Sequence, residues 1–396
     1  MTNAKKFEWV WYAHGFLREL VLIYPTYAIM MQQGGISAIE LSTLFIIWSF
    51  ALFVFEVPSG ILADRISRRN LLVISGMIKG STFLIWWLVP GFAGYALGFV
   101  IWSLGSSLIS GTSEALLHDT LEADGTQEQF ERIYGWGVAA NSIGVAVALL
   151  IGGWLAESGF LLPLLLSVIT PWAAAAIAAT GLKEPPRTTG AEAESFFGTL
   201  MAGMHEARSN RSVGLIIGMF AMLPMAYGVL EEYIGPMLHE RETFSMTEIG
   251  AVAAFALVAR TLGLSVAHRF RSPTTRRLAA LFMVTGLLLV AVPTIVDWGL
   301  ALLLGIYFAG CGVGEVLLQG QLQANISGHA RATITSFARM GMETSGILLY
   351  LFLGTIAQFA NWEIAFAATG ILSVLLASFF FLVRTQVAAV IQTIDS

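Results

Sequence analysis

Glu114 stands inside an apolar run with Leu116 and Leu117 behind it and His118 one helical turn further on. A carboxylate and an imidazole four residues apart share one face of a helix. In apolar surroundings such a couple is suited to one task above others, the uptake and release of a proton. Glu315 has the same setting. Shifting the chain by 201 residues lays 111–123 on 312–324, glutamate on glutamate, with Leu-Leu after each. Glu56 lies in the run 38–63, about two turns before the polar loop that follows it. Arg18, Lys79 and Arg260 are cations in the same kind of position. An ionised group in the middle of a membrane span costs about 3 kcal/mol unless it is paired or wet, so each of these is a functional candidate. Glu56 and Lys79 lie at equal depth, about 17 Å of helix from the loop between them, and are expected to pair. Arg260, Glu315 and Glu343 also share a depth, so Arg260 is expected to pair with a glutamate.

The elements that must carry these groups follow from composition. Of 396 residues, 56% are hydrophobic and 12% charged, against roughly a quarter charged in soluble domains. This is the composition of an integral membrane protein. The net charge of −5 and the lack of a basic tract exclude a nucleic-acid partner. Cys311 is the only cysteine, which excludes an internal disulfide. Apolar runs of about twenty residues recur at 9–31, 38–63, 70–89, 94–119, 134–156, 161–181, 212–238, 247–270, 278–296, 298–325, 333–357 and 362–384. Backbone groups in hydrocarbon must be satisfied within their own segment, so the runs are expected to be helices. The first has a basic flank but is too long for a signal peptide and is read as a retained span.

Charge sets the expected orientation. All cations except Arg18, Lys79, Arg241, Arg260 and Arg339, 16 of 21, fall in loops or tails on one side. The positive-inside rule places that side, and both termini, in the cytoplasm. The polar interruption after Lys183 separates six spans from six, which gives bundles over 1–182 and 212–396 and a linker over 183–211. Within the linker, Phe196, Phe197, Leu200, Met201 and Met204 recur at helical spacing, the pattern of a helix lying on the inner membrane surface. Trp9, Trp11, Trp86, Trp87 and Trp298 near span ends read as interface anchors. Six plus six spans with a parallel repeat is a transporter architecture, and its binding site is expected near the midplane.

The loop Gly60-Ile-Leu-Ala-Asp64-Arg65-Ile-Ser-Arg68-Arg69 resembles motif A of the major facilitator superfamily, with Ser67 in place of a glycine. The resemblance covers nearly the whole chain. It implies an all-α membrane fold of twelve helices in two pseudo-symmetric six-helix bundles, a monomer of the plasma or inner membrane, and a gating role for Gly60, Asp64, Arg65 and Arg68. Gly135, Gly144, Gly152 and Gly153 resemble the family's antiporter motif, but Ala148 and Leu149 replace its Gly-Pro pair. Glu56-Val-Pro-Ser-Gly is similar to a pattern of a drug-efflux-like group. In the family the first and fourth spans line the central cavity. That implies a substrate or proton site made of Arg18, Glu114 and His118 with Glu56 nearby, matched in the second half by Glu315 and Arg260.

The function expected is secondary transport of a small organic molecule, cations included, by alternating access, coupled to protons as export by antiport. A carboxylate in a low-dielectric cavity can hold a proton at neutral pH and release it when a cation arrives. The alternative is proton symport of a polar or anionic solute, with Arg18 and Arg260 as anion contacts. An enzyme or sensor is the remote alternative. The chain has no phosphate-binding Gly-x4-Gly-Lys-Ser/Thr, no His-Glu-x-x-His and no nucleophile elbow, and no cofactor or metal is expected.

Overall fold

The computed structural model describes residues 3–184, 211–220, 222, 228–270, 274–325 and 331–394, and those residues are helical apart from turns and short connections. The surface helix expected within 183–211 lies outside the described residues. Two compact units emerge, one of residues 1–191 with 244–254 and one of residues 192–243 with 255–396.

Ten helices among the described residues are long and apolar enough to cross a membrane. They correspond to every expected run except the first, which is interrupted, and the seventh, part of which lies outside the described residues. In the first, Asn3–Glu19 stops and Tyr27–Gln33 resumes the direction. Pro25 has no N–H to continue the ladder, and the carbonyl of Ile23 takes the N–H of both Thr26 (3.0 Å) and Tyr27 (2.8 Å). In the seventh, the described elements are Arg211–Phe220, a 3-10 turn at Leu230–Tyr233 and Ile234–Glu240. The fourth run, expected as one helix, is two: Phe92–Ile109 and Thr112–Ala123. Its counterpart Asp297–Asn325 is continuous.

Side chains at the ends fix several entries. Ser37 caps Ala38–Arg65 in a reciprocal box with Glu40. Ser67 and Thr274 cap Arg68–Leu88 and Thr275–Val290 through their hydroxyls.

The first unit holds a buried aromatic core. Trp86 stacks edge-on to Phe99 at 5.0 Å between ring centroids, and Phe83 meets Trp102 at 5.5 Å. Such pairs add about 0.5–1.5 kcal/mol each beyond burial. Buried hydroxyls tie spans together without a charge: Ser75 Oγ donates to the carbonyl of Gly105 and Ser103 Oγ to that of Trp48, both at 2.7 Å. This corrects the reading of the tryptophans. Trp86 (1% exposed) and Trp11 (8%) are core residues, whereas Trp9, Trp87 and Trp298 are exposed. Proximity to the end of a run does not say which face of the helix a ring occupies.

The fifth span, Phe130–Ala156, meets the first through its glycines. A methyl group on Gly144 or Gly152 would lie 2.4 or 1.9 Å from the carbonyl oxygens of Phe16 and Leu22. Hydrogen there lets the two backbones touch. Gly153 faces Gly250 in the same unit, and Gly135 has no close neighbour.

Candidate functional site

The break in the fourth span positions Glu114. After Ser110, Gly111 turns the chain at φ +71°, and a new helix starts with Glu114 in its first turn, where the helix dipole favours an acid. A cavity of about 280 Å³ opens beside it. The first span supplies Trp11, His14, Gly15 and Arg18, the fourth Ile109, Ser110, Gly111, Ser113 and Glu114, and the fifth Tyr134, Gly137, Val138 and Asn141. Glu114 accepts a hydrogen bond from Ser113 Oγ at 3.0 Å, and among the described residues it has no cationic partner.

The other acids are placed differently. Glu19 gathers Arg18 Nε (3.0 Å), Lys79 Nζ (2.9 Å) and the Tyr24 hydroxyl (3.1 Å). The Lys79 ammonium also sits over the rings of Tyr24 and Trp102, at 5.6 and 5.9 Å from their centroids. The expected Glu56–Lys79 pair is therefore overturned. Equal depth on adjacent spans does not fix the side each residue faces. Lys79 is buried toward Glu19, while Glu56 is exposed, with Ser110 Oγ 3.4 Å from its carboxylate. In the second unit Arg260 Nη2 meets Glu315 Oε2 at 2.8 Å, one of the two glutamates that common depth offered it.

Of the cavity residues expected from sequence, Arg18 and Glu114 share one wall space and His118 does not line it. Thr112–Ala123 carries His118 one turn beyond the cavity, where its side chain is 57% exposed, packs on Phe130 and lies 3.8 Å from Asp119. Arg68 also reaches Asp119, and it donates to the carbonyl of Ala115 at 3.1 Å. The N–H groups of Arg68 and Arg69 donate to Glu184, at 2.9 and 3.3 Å, and the Ser67 hydroxyl does the same. The loop is thus bonded to the fourth span and to the residues after the sixth. Gly60, Asp64 and Arg65 belong to the helix Ala38–Arg65, and their side chains lie outside the described residues. His118, Asp119 and Glu122 bring three potential metal ligands within 4.8 Å of one another, with Arg68 already on Asp119, an arrangement that an ordinary exposed charge cluster explains.

Two cavity groups carry more than their sequence setting suggested. His14 is 3% exposed, and its Nδ1 lies 3.0 Å from the carbonyl of Ala174. A carbonyl only accepts, so Nδ1 bears the hydrogen and Nε2 of the neutral ring is an acceptor. That Nε2 has no partner among the described residues. Asn141, with its amide nitrogen on the carbonyl of Gly15 (2.9 Å), accepts from Arg18 Nη2 at 3.1 Å. The signal for His14 was its position one turn before Arg18. Asn141 gave none, since a neutral amide does not interrupt an apolar run.

The sequence pattern of the Major Facilitator Superfamily matches residues 16–340. The chain belongs to that family. Its place there makes it a secondary transporter of small molecules rather than an enzyme. No curated protein sequence matches the chain significantly. Among solved structures, a single-residue variant of the nucleoside transporter NupG is similar at a TM-score of 0.81 with 17% identity, over 95% of this chain and 99% of that one. A bacterial homologue of the human lysosomal transporter Spinster, inward-facing and unoccupied, gives 0.73 with 14% identity over 96% of both chains. The POT family transporter PepTSo gives 0.70 with 13% identity, over 96% of this chain and 98% of that one. At these identities the likeness concerns the fold.

Proposed function

We propose that this superfamily member exports a small organic molecule in exchange for protons by alternating access of the bundles 1–182 and 212–396, with Glu114 as the exchange site. One observation carries the reading: among the described residues Glu114 is a carboxylate on a cavity wall with no cationic partner, whereas Glu19 and Glu315 are both engaged by cations. A carboxylate so placed takes either a proton or a positively charged or N–H group of the solute, and not both. The site therefore exchanges one for the other. Export rather than import is supported by the Glu56-Val-Pro-Ser-Gly pattern.

The cavity also describes the solute. Its volume of about 280 Å³ is at the small end of ligand pockets, which run to roughly 1,000 Å³. Arg18 and the hydroxyls of Ser110 and Ser113 offer donors; Glu114 offers an acceptor; Trp11 and Tyr134 offer aromatic surface. A solute with a flat ring and several polar groups meets all three, and a nucleoside, the solute named for NupG, is a suitable probe beside a cationic dye. Purified full-length protein in liposomes tests the reading with both probes. An inside-acid gradient is applied and then reversed. Accumulation driven by protons moving the opposite way is expected.

A second reading, uptake by symport, is supported by a separate feature. Arg18, Lys79 and Glu19 together carry one net positive charge beside the cavity, which suits an anionic solute. In that case accumulation occurs only when protons and solute move the same way, and Arg18→Ala abolishes it.

A further inference from the structure

The second unit has a larger concavity that the transport reading does not use. It lies among the eighth span Met246–Val266, the ninth Thr275–Val290 and the tenth Asp297–Asn325, and it holds about 950 Å³. A water molecule occupies about 30 Å³ of liquid, so this is space for hydrocarbon chains. The walls are apolar. Leu262, Val284 and Ile306, all more than half exposed, line them from the three spans in turn.

Charge is confined to one end. Arg269, just past the eighth span, and Arg277, in the first turn of the ninth, line the same groove, and both are exposed. Among the described residues neither guanidinium has a carboxylate partner. Their neighbour Arg276 is differently occupied, over the ring of Phe381 at 5.0 Å from its centroid. An apolar trough that ends in two unpaired guanidiniums at the edge of membrane spans matches one amphiphile, a molecule with acyl chains and an anionic head. A zwitterionic lipid fills the trough equally well, but its own ammonium already offsets its phosphate, so only a lipid of net negative charge neutralises the two cations.

We propose that this groove binds an anionic phospholipid, with Arg269 and Arg277 on the headgroup phosphate and the walls of the eighth, ninth and tenth spans on the acyl chains. The proposal stands independently of direction, coupling and the role of Glu114. Arginine is suited to it, because its planar fork meets two phosphate oxygens at once.

Native mass spectrometry of the full-length protein, delipidated and offered equal amounts of phosphatidylglycerol and phosphatidylcholine, tests it. Wild type is expected to retain phosphatidylglycerol preferentially. The double variant Arg269→Gln/Arg277→Gln is expected to lower that preference roughly tenfold or more, while Arg276→Gln keeps it. Ala280→Trp, which puts a large ring into the groove, is expected to reduce retention of both lipids without touching a charge. Equal retention of the two lipids by wild type overturns the proposal. So does a preference that survives both the double variant and Ala280→Trp.

Discussion

Glu19, Glu114 and Glu315 are the same side chain in three kinds of company, and the company decides what each can do. Glu19 is held by Arg18, Lys79 and Tyr24, and Glu315 by Arg260. Such a pair is a structural commitment: removing one partner leaves a buried charge whose desolvation is no longer offset, a loss of roughly 3–5 kcal/mol. Glu19→Gln is accordingly expected to destabilise the protein by about that amount, and adding Lys79→Met is expected to restore part of it. Thermal unfolding of both variants in one detergent checks this. Equal losses in the single and double variants would show that the pair is not the cause. Part of this site was legible in the sequence. Apolar flanks marked Glu114, Arg18, Glu315 and Arg260 as charges inside spans, and shared depth offered Arg260 two glutamates, Glu315 and Glu343. Partners that depend on the rotation of one helix against another were not, which is why Lys79 meets Glu19 instead of Glu56. The role of Asn141 depends on the same rotation.

Elements place these side chains mainly by being interrupted. Gly111 breaks the fourth span in the left-handed region, where a Cβ costs about 1–2 kcal/mol, and thereby starts the helix that carries Glu114. Nothing crowds the position, so strain of the backbone is the whole effect of a substitution. Gly111→Ala is expected to lower both stability and transport, and Gly111→Asn, whose side chain tolerates that conformation, to spare most of each. Similar transport by the two variants would mean that the break does not orient Glu114. Apolar periodicity could not show this interruption, because glycine and serine also occur within intact spans. At the end of the fifth span, Glu157 accepts from the N–H and hydroxyl of Thr247, at 2.7 and 2.8 Å, and these bonds hold its carboxyl below the usual range. A depressed folded-state pKa stabilises above the unfolded value, and that contribution disappears as pH falls through the folded one. The stability gap between wild type and Glu157→Gln is therefore expected to be constant near neutrality and to close as pH drops below the ordinary glutamate value of 4.5. Thermal unfolding across pH 3–7 measures it. A gap that persists at the acid end would place the effect elsewhere.

At the scale of the whole molecule, the sequence was most informative. Of twelve apolar runs, ten are spanning helices among the described residues, because hydrocarbon leaves a chain little choice but a helix of about twenty residues. The match over residues 16–340 supplies the family on independent grounds. The first span is broken after Glu19, directly past Arg18 on the cavity wall. Discontinuous helices are where many transporters build their binding sites. Family membership says that solute moves. The direction is set by whether proton and solute occupy the site in turn or together.

The most direct test of that exchange is proton movement on addition of solute to liposomes with a pH-sensitive dye inside, compared between wild type and Glu114→Gln. Solute counterflow, which needs no net proton movement, is recorded on the same vesicles. Wild type is expected to move protons against the solute, and Glu114→Gln to retain counterflow while solute-driven proton movement is lost. Equal proton movement by both proteins would contradict the assignment of Glu114 and with it the proposed mechanism.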